Sequence, residues 1–265
     1  MRGKWLCGFL LFLASASQSY ATPCGPEDFE HAVMGGESEC VVMARFGNVP
    51  DPRVLVVWLH GDTSGGGPAT SHYRVAEQAA KRFAAEGVLN VGLIRPGYED
   101  EDGRQSDGSN YGRSDNYTKD NMEIVGGAIE RLKQHYHPQR VVVVGHSGGA
   151  ATAANLLGMM PGLVDAALLV SCPCDLVAWR ANGRKNPWSR SENPAKWLDS
   201  VRPPVRVIAL TGEDDPNTGP YFVRTYIENL QKRNVQASFE LVPGADHNGA
   251  FKSPIVLDTL AELIK

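Results

Sequence analysis

The chain has 265 residues, of which 42% are hydrophobic and 21% are charged, and it contains 28 glycines and 17 prolines. This composition is that of an ordinary globular protein, and it excludes a collagen-like or wholly disordered chain. The formal net charge of −4 excludes the strongly basic surface that nucleic-acid binding requires, so we expect no nucleic-acid partner. The length fits a single α/β domain.

The first 21 residues have the pattern of a secretory signal peptide. Arg2 and Lys4 precede an apolar run over residues 5–13, and small residues lead up to Ala21. A charged start, a short apolar run and a small-residue end are typical of a cleaved export signal. The run is too short to form a stable membrane span, so an uncleaved anchor is the less favoured alternative.

We therefore predict that residues 1–21 are removed and that residues 22–265 form one mature domain in a secreted or periplasmic protein. Cleavage near Ala21 changes the formal net charge from −4 to −6, because it removes Arg2 and Lys4 and no acidic residue.

The mature chain keeps an even number of cysteines, as expected in an oxidising compartment: Cys24, Cys40, Cys172 and Cys174. All of the possible pairings remain open, although proximity along the chain favours Cys24 with Cys40. Cys172 and Cys174 could close a tight ring or act as a redox pair. No second cluster of metal ligands accompanies them, so we expect neither a metal nor another cofactor.

From residue 39 onward, strand and helix patterns alternate. Continuous Val-rich runs predict strands buried on both faces, and apolar residues at helical spacing predict amphipathic helices. The predicted strands cover residues 39–46, 53–60, 88–94, 140–144, 166–170, 205–210 and 237–242, and the predicted helices cover residues 71–85, 121–136, 147–160, 221–232 and 254–265. This order predicts a mostly parallel central sheet with helices on both faces.

Two long polar insertions interrupt the pattern, at about residues 95–118 and 172–204. Loops of this length are uncommon unless they carry function. Within the second insertion, residues 179–188 combine two tryptophans with three cations. This segment is either a lid for an anionic or aromatic substrate or an exposed insertion anchored by its tryptophans.

The strongest functional signal is the segment Gly145-His-Ser-Gly-Gly149, between the predicted strand 140–144 and a helix. A serine on such a tight strand-to-helix turn is exposed to substrate, and the flanking glycines allow the close approach of neighbouring chain segments. A serine hydroxyl needs an adjacent base to become a nucleophile. Ser147 is therefore the candidate nucleophile.

Residues 39–265 resemble the α/β-hydrolase family. The resemblance rests on this strand-to-helix turn, on the His60-Gly61 turn after an early strand, and on an Asp and a His after two later strands. The resemblance implies the α/β-hydrolase fold, an eight-stranded sheet and a catalytic triad in the chain order Ser, acid, His. It implies that Asp215 is the acid and that His247 is the base. Six other histidines need no catalytic role; among them, His60 and His146 are expected to shape loops.

Two of these assignments keep alternatives. Asp214 adjoins Asp215, and Asp175 follows a strand after which some relatives carry the acid. The oxyanion hole is expected to use the backbone N–H groups of Gly148 and Asp62. If the Asp62 carboxylate pointed toward the developing negative charge, Thr63 would be the alternative donor.

Two classes of function remain. The first is a serine hydrolase that cleaves an ester or amide, or a short peptide, through an acyl-enzyme, and the second is a non-catalytic binding protein on the same fold. The triad favours the hydrolase. His146 in the elbow matches esterases and lipases, whereas Arg95-Pro-Gly-Tyr98 resembles a segment of prolyl-oligopeptidase-like peptidases. The sequence leaves the oligomeric state open.

Overall fold

A computed structural model describes residues 22–265, and the predicted signal peptide lies outside the described residues. The strands are β1 (Thr22–Pro23), β2 (Ala32–Met34), β3 (Cys40–Phe46), β4 (Val54–Leu59), β5 (Val88–Leu93), β6 (Arg104–Gln105), β7 (Arg140–His146), β8 (Ala166–Val170), β9 (Arg206–Gly212) and β10 (Gln236–Val242). The α-helices are α1 (Tyr73–Arg82), α2 (Lys119–Tyr136), α3 (Gly148–Met159), α4 (Leu176–Asn182), α5 (Pro220–Gln231), α6 (His247–Lys252) and α7 (Pro254–Leu263), and two 3-10 helices cover Ala84–Glu86 and Pro194–Ser200. None of these helices within residues 22–265 is both long enough and apolar enough to cross a bilayer.

Eight of the described strands form the central sheet, in the order β10-β9-β8-β7-β4-β5-β3-β2. Neighbours run parallel, except that β3 is antiparallel to both β5 and β2. The short strands β1 and β6 pair with each other outside this sheet. The mostly parallel sheet and each strand predicted from the sequence are confirmed. The eighth strand, β2, was not predicted, because three residues are too few to show a strand pattern.

The Val-rich sequence of β7 follows from its central position, since helices cover both faces of the sheet. Val141 and Val143 are buried in the core that contains α2, α3 and α5. Val142 and Val144 are buried in the opposite core, which contains α1 and α7. Removing any of these side chains from water is favourable by roughly 1.5–3 kcal/mol, so no position of the strand is free to be polar. The predicted arrangement with helices on both faces is confirmed.

The strand order places the candidate site where the direction of the connections reverses. β5 lies on one side of β4, whereas β7, the next strand of the sheet along the chain, lies on its other side. Ligand sites of open α/β sheets form in the crevice at such a switch point, beyond the carboxyl ends of the strands. The turns after β4 and β7 meet there, because a Cβ at Gly61 would lie 3.2 Å from the Ser147 Cβ.

The two polar insertions form ordered walls beside this crevice and are connected to each other. The segment 172–204 contains α4, whose first turn is capped by the Asp175 carboxylate. Asp115, in the insertion 95–118, accepts hydrogen bonds from the backbone N–H groups of residues 189–191 at 2.9–3.3 Å.

Two disulfides join the described cysteines in the pairs that their spacing favours. Cys24 pairs with Cys40, with the Cα atoms 5.9 Å apart, and Cys172 pairs with Cys174, with the Cα atoms 5.1 Å apart. The first disulfide ties the beginning of the described chain to β3. The second lies directly after β8, at the beginning of the insertion that forms one wall of the crevice.

Candidate active site

Ser147 lies between β7 and α3 in a backbone conformation that L-residues rarely adopt, with φ 52° and ψ −115°. Its N–H donates to the Val170 carbonyl at 2.8 Å, which holds the turn against β8. The turn also lies against the end of β4, since a Cβ at Gly149 would approach the His60 carbonyl oxygen to 2.6 Å. Strained serines of this kind are held by their surroundings and are characteristic of functional sites.

His247 lies beside the carboxylate of Asp215, with 2.8 Å between Nδ1 and Oδ2. The carboxylate is held in place, because Oδ1 accepts the backbone N–H groups of Asn217 and Thr218 at 2.9 Å and Oδ2 accepts the Thr218 hydroxyl at 2.8 Å. Burial alone would raise the pKa of Asp215, but the hydrogen bonds from His247 and Thr218 outweigh it and lower that pKa below its usual range. An ionised Asp215 favours the imidazole tautomer with the proton on Nδ1, which makes Nε2 the acceptor; the Asn217 amide nitrogen lies 3.5 Å from it.

Asp214 and Asp175, the alternative acids, do not contact the imidazole. Asp214 is exposed, and its backbone N–H donates to the Ala245 carbonyl at 3.0 Å. Asp175 caps α4 and accepts a hydrogen bond from the Asn193 amide at 3.1 Å. The structure therefore brings His247 together with Asp215 alone of the three candidates.

Thr218 was not identified from the sequence, although an Asp followed by Pro-Asn-Thr is a typical turn pattern in which the carboxylate accepts backbone N–H groups.

His146, the residue before the candidate nucleophile, holds the loop that carries His247. Its Nε2 donates to the His247 carbonyl at 3.0 Å, and the Ser171 hydroxyl donates to the same oxygen at 3.2 Å. The His146 ring also stacks on Phe251, with the ring centroids 4.8 Å apart. Burial, followed by the nearby His247, lowers the pKa of His146 to about 4, so the side chain is neutral at pH 7.

Asp62 lies next to Gly148 at the N-terminus of α3. A Cβ at Gly148 would be 2.6 Å from the Asp62 carboxylate. The backbone N–H of Asp62 donates to no acceptor among the described residues. Gly148 is the first residue of α3, so its N–H has no acceptor within the helix. Both residues lie close to Ser147, because Gly148 follows it in the chain and a Cβ at Gly61, the neighbour of Asp62, would be 3.2 Å from the Ser147 Cβ.

Three side chains contact the Asp62 carboxylate. It is ion-paired with the guanidinium of Arg95 and accepts the hydroxyls of Tyr117 at 2.7 Å and Tyr98 at 3.2 Å. His60 supports this arrangement, because its Nε2 accepts the Arg95 backbone N–H at 2.8 Å. Burial, followed by the charge of Arg95, lowers the pKa of His60 well below its ordinary value.

Ser147, His247 and Asp62 line one pocket of about 620 Å³. This volume is within the range of small-molecule sites. Tyr117, Trp179 and other side chains of the two insertions form its walls. No hydrogen bond joins the Ser147 hydroxyl to the His247 Nε2 in the described part of the chain, and such contacts are often long until substrate binds. The pocket thus holds Ser147 and the His247 imidazole that is hydrogen-bonded to Asp215, which are residue types that acyl transfer uses.

Comparison with known families gives one match, since residues 109–264 match the prolyl oligopeptidase family. The matched segment is more than half of the chain, and it contains Ser147, Asp215 and His247. No curated protein is similar enough in sequence to match the chain.

Solved structures with a similar backbone are distant in sequence. Est1E from Butyrivibrio proteoclasticus with bound ferulic acid has 14% identity and a TM-score of 0.62, with 85% of this chain and 93% of that chain covered. The Pyrococcus furiosus esterase Pf2001 has 15% identity and a TM-score of 0.64, with coverages of 88% and 87%. A propionate-bound thermophilic esterase from Thermogutta terrifontis has 17% identity and a TM-score of 0.63, with coverages of 89% and 93%. At this distance the likenesses concern the fold, and they confirm the predicted α/β-hydrolase fold.

Proposed function

The chain belongs to the prolyl oligopeptidase family of serine hydrolases, and we propose that it hydrolyses an ester bond through an acyl-enzyme formed on Ser147. One observation carries the proposal. The His247 imidazole, hydrogen-bonded to Asp215 at 2.8 Å, lines the same pocket as a serine held in the strained elbow conformation. A base fixed by an ionised acid near a partly exposed serine is the arrangement that activates a hydroxyl.

In the first half of the proposed reaction, the Ser147 hydroxyl oxygen attacks the ester carbonyl carbon while the His247 Nε2 takes the hydroxyl proton. The tetrahedral intermediate then collapses, the bond between the carbonyl carbon and the alcohol oxygen breaks, and the alcohol leaves with that proton. Water attacks the acyl-serine in the second half and gives a proton to His247. The carboxylic acid departs, and Ser147 regains its proton.

The backbone N–H groups of Gly148 and Asp62 are the proposed oxyanion hole. Both donors lie beside Ser147, and the charge of the Asp62 side chain is balanced by Arg95. A negative charge developing on the carbonyl oxygen therefore meets two N–H dipoles rather than an uncompensated carboxylate. Removal of one such donor typically lowers kcat by about 10²–10³-fold.

A serine peptidase of the prolyl-oligopeptidase type is the second candidate, and the family match favours it. The ester assignment draws on the compared structures from Pyrococcus furiosus and Thermogutta terrifontis, both of which are named esterases. Either substrate is cleaved by the same residues, so the two candidates differ in the leaving group and not in the machinery.

Export is part of the proposal. The signal-peptide pattern of residues 1–21 supports it, as do the two disulfides of the mature chain, which persist in oxidising compartments. Expression with a tagged C-terminus, followed by N-terminal sequencing of the exported protein, should give a chain that starts near Thr22. A product that retains residues 1–21 would contradict cleavage.

A labelling experiment tests catalysis directly. We expect a fluorophosphonate probe to label the folded wild-type protein and not Ser147→Ala. A folded wild-type protein that is not labelled would favour the non-catalytic binding protein. Short p-nitrophenyl esters assayed beside aminoacyl arylamides then separate the esterase from the peptidase, and any hydrolysis that persists in Ser147→Ala would contradict the mechanism.

A further inference from the structure

We propose that Arg180 and Lys185 form an anion-binding subsite in the active-site pocket and select esters that carry an anionic group, such as a carboxylate. The inference rests on the proposed hydrolase function, because it concerns the substrate of the same pocket. Both cations belong to the insertion 172–204 and line the pocket together with Ser147 and His247.

The side chains that line the pocket carry more positive than negative charge. Asp62 is the acidic residue that lines it within the described part of the chain, and its carboxylate is ion-paired with Arg95. The lining cation Arg113 is ion-paired with Glu99 at 3.5 Å. Arg180 and Lys185, by contrast, form no ion pair among the described residues. The pocket therefore presents two uncompensated positive charges to whatever binds there.

Arg180 is held in position with its charged end available. Its Nε donates to the Asn186 carbonyl at 2.9 Å, and its guanidinium carbon lies 4.9 Å from the centroid of the Trp188 ring. The two terminal nitrogens donate to no acceptor among the described residues. A guanidinium fixed in this way loses little side-chain entropy when it binds a carboxylate with two parallel hydrogen bonds.

The wall that carries these cations is anchored to the catalytic loops. The Trp179 indole N–H donates to the Asn217 carbonyl at 2.9 Å, two residues from Asp215. The Trp188 ring lies 5.6 Å from that of Tyr117, on the opposite insertion. These contacts hold Arg180 in a defined position relative to the reacting groups, whereas Lys185 adds its charge from an exposed position on the same wall.

The rest of the chain does not favour anions. With the predicted signal peptide removed, the formal net charge is −6, so the long-range field repels an anionic substrate weakly and is screened by salt beyond about 10 Å. Arg180 and Lys185, which have no ion-pair partner among the described residues, therefore attract an anionic group at short range, at the wall of the candidate active site. The aromatic rings beside them offer apolar surface to the uncharged part of such a substrate.

Three acetyl esters with the same aromatic frame test the inference: 4-acetoxybenzoate, 4-acetoxybenzenesulfonate and methyl 4-acetoxybenzoate. The first two carry different anionic groups, and the third is neutral. In the double variant Arg180→Gln/Lys185→Gln, we expect the ratio of kcat/KM for either anion to that for the neutral ester to fall at least about tenfold, since charge-assisted hydrogen bonds are lost. A fall confined to the carboxylate would assign carboxylate substrates, and a fall for both would assign anions in general.

Arg184→Gln is the matched control, because Arg184 is exposed, does not line the pocket and carries the same charge. We expect it to leave the ratio within about twofold of wild type. A double variant that keeps the wild-type ratio, or an Arg184→Gln variant that lowers it equally, would overturn the subsite and leave the hydrolase intact. Failure of Ser147 labelling, with no hydrolysis of any of the three esters, would instead overturn the proposed function and the subsite with it.

Discussion

The guanidinium of Arg95 is ion-paired with the carboxylate of Asp62 beside the first residue of α3, although the two residues are 33 positions apart in the chain. The pair is largely buried, with 4% of the Arg95 side chain and 17% of the Asp62 side chain exposed. Burial, which alone would lower the pKa of Arg95, is outweighed by the Asp62 carboxylate, so that pKa is raised. Arg95 therefore stays charged and neutralises the Asp62 carboxylate, which would otherwise oppose negative charge at the proposed oxyanion hole.

Replacing Arg95 by Met should leave the Asp62 carboxylate buried without its cation. We expect the free energy of unfolding, measured by urea denaturation, to fall by about 3–5 kcal/mol, as for other broken buried pairs. The matched control is Arg82→Met, which breaks an exposed ion pair with Asp258 at 2.7 Å. It should cost about 1 kcal/mol or less. Equal losses in the two variants would show that the buried pair has no special role.

The acid assignment gives a second prediction. Asp215→Asn should lower kcat by about 10⁴-fold, because an amide no longer fixes the proton on the His247 Nδ1. Asp214→Asn removes the same charge one residue earlier, at an exposed position, and should change kcat less than about twofold. Steady-state kinetics on one activated ester checks both variants. A larger loss in Asp214→Asn would move the acid to that residue.

The elbow gives a third prediction, on stability. In Gly149→Ala, the new Cβ would approach the His60 carbonyl oxygen to 2.6 Å, and a backbone oxygen cannot move aside as a side chain does. We expect the free energy of unfolding to fall by about 1–3 kcal/mol. Gly65→Ala is the control, because a Cβ there would meet no described atom within 4 Å. Its unfolding free energy should stay within about 0.5 kcal/mol of wild type, and the two variants behaving alike would contradict the close packing of the elbow.

The sequence predicted those features that depend on local patterns. Strand patterns identified the strands of the central sheet from β3 onward, and Gly145-His-Ser-Gly-Gly149 identified the turn whose Ser147 lines the pocket. Helix α4, however, lies inside a stretch predicted only as a polar insertion. Its seven residues bury little apolar surface, so the sequence shows no apolar periodicity that would predict this helix.

The contacts that complete the site depend on chain segments that are distant in sequence. Asp62 was predicted as a backbone donor, but its pairing with Arg95 and its hydrogen bond from Tyr117 join the turn after β4 to two other loops. A single sequence records no such pairing, because each residue alone is compatible with an exposed loop. The cations of residues 179–188 are visible in the sequence, but only the fold shows that Arg180 and Lys185 form no ion pair with any acid of residues 22–265.

A last prediction concerns pH and His72, which is fully buried before α1. Burial, aided by the nearby Arg95 charge, lowers the pKa of His72 from 6.5 to about 3. Between pH 6.5 and pH 3, His72 is protonated in the unfolded chain but neutral in the folded protein. Its contribution to the free energy of unfolding is therefore full above pH 6.5 and is lost as the pH falls toward 3. From pH 7.5 to pH 5, one such histidine lowers the free energy of unfolding by about 2 kcal/mol.

The variant His72→Gln isolates this contribution, because glutamine does not titrate. It should be less stable than wild type at pH 7.5 because a well-packed side chain is replaced, yet its unfolding free energy should fall by about 2 kcal/mol less on going to pH 5. Urea denaturation of both proteins at the two pH values gives the comparison. His60 and His146 remain in the variant. Each still lowers the free energy of unfolding as the pH falls, since its pKa is also lowered, chiefly by burial. An identical fall in variant and wild type would mean that His72 accepts a proton in the folded protein as readily as in the unfolded chain.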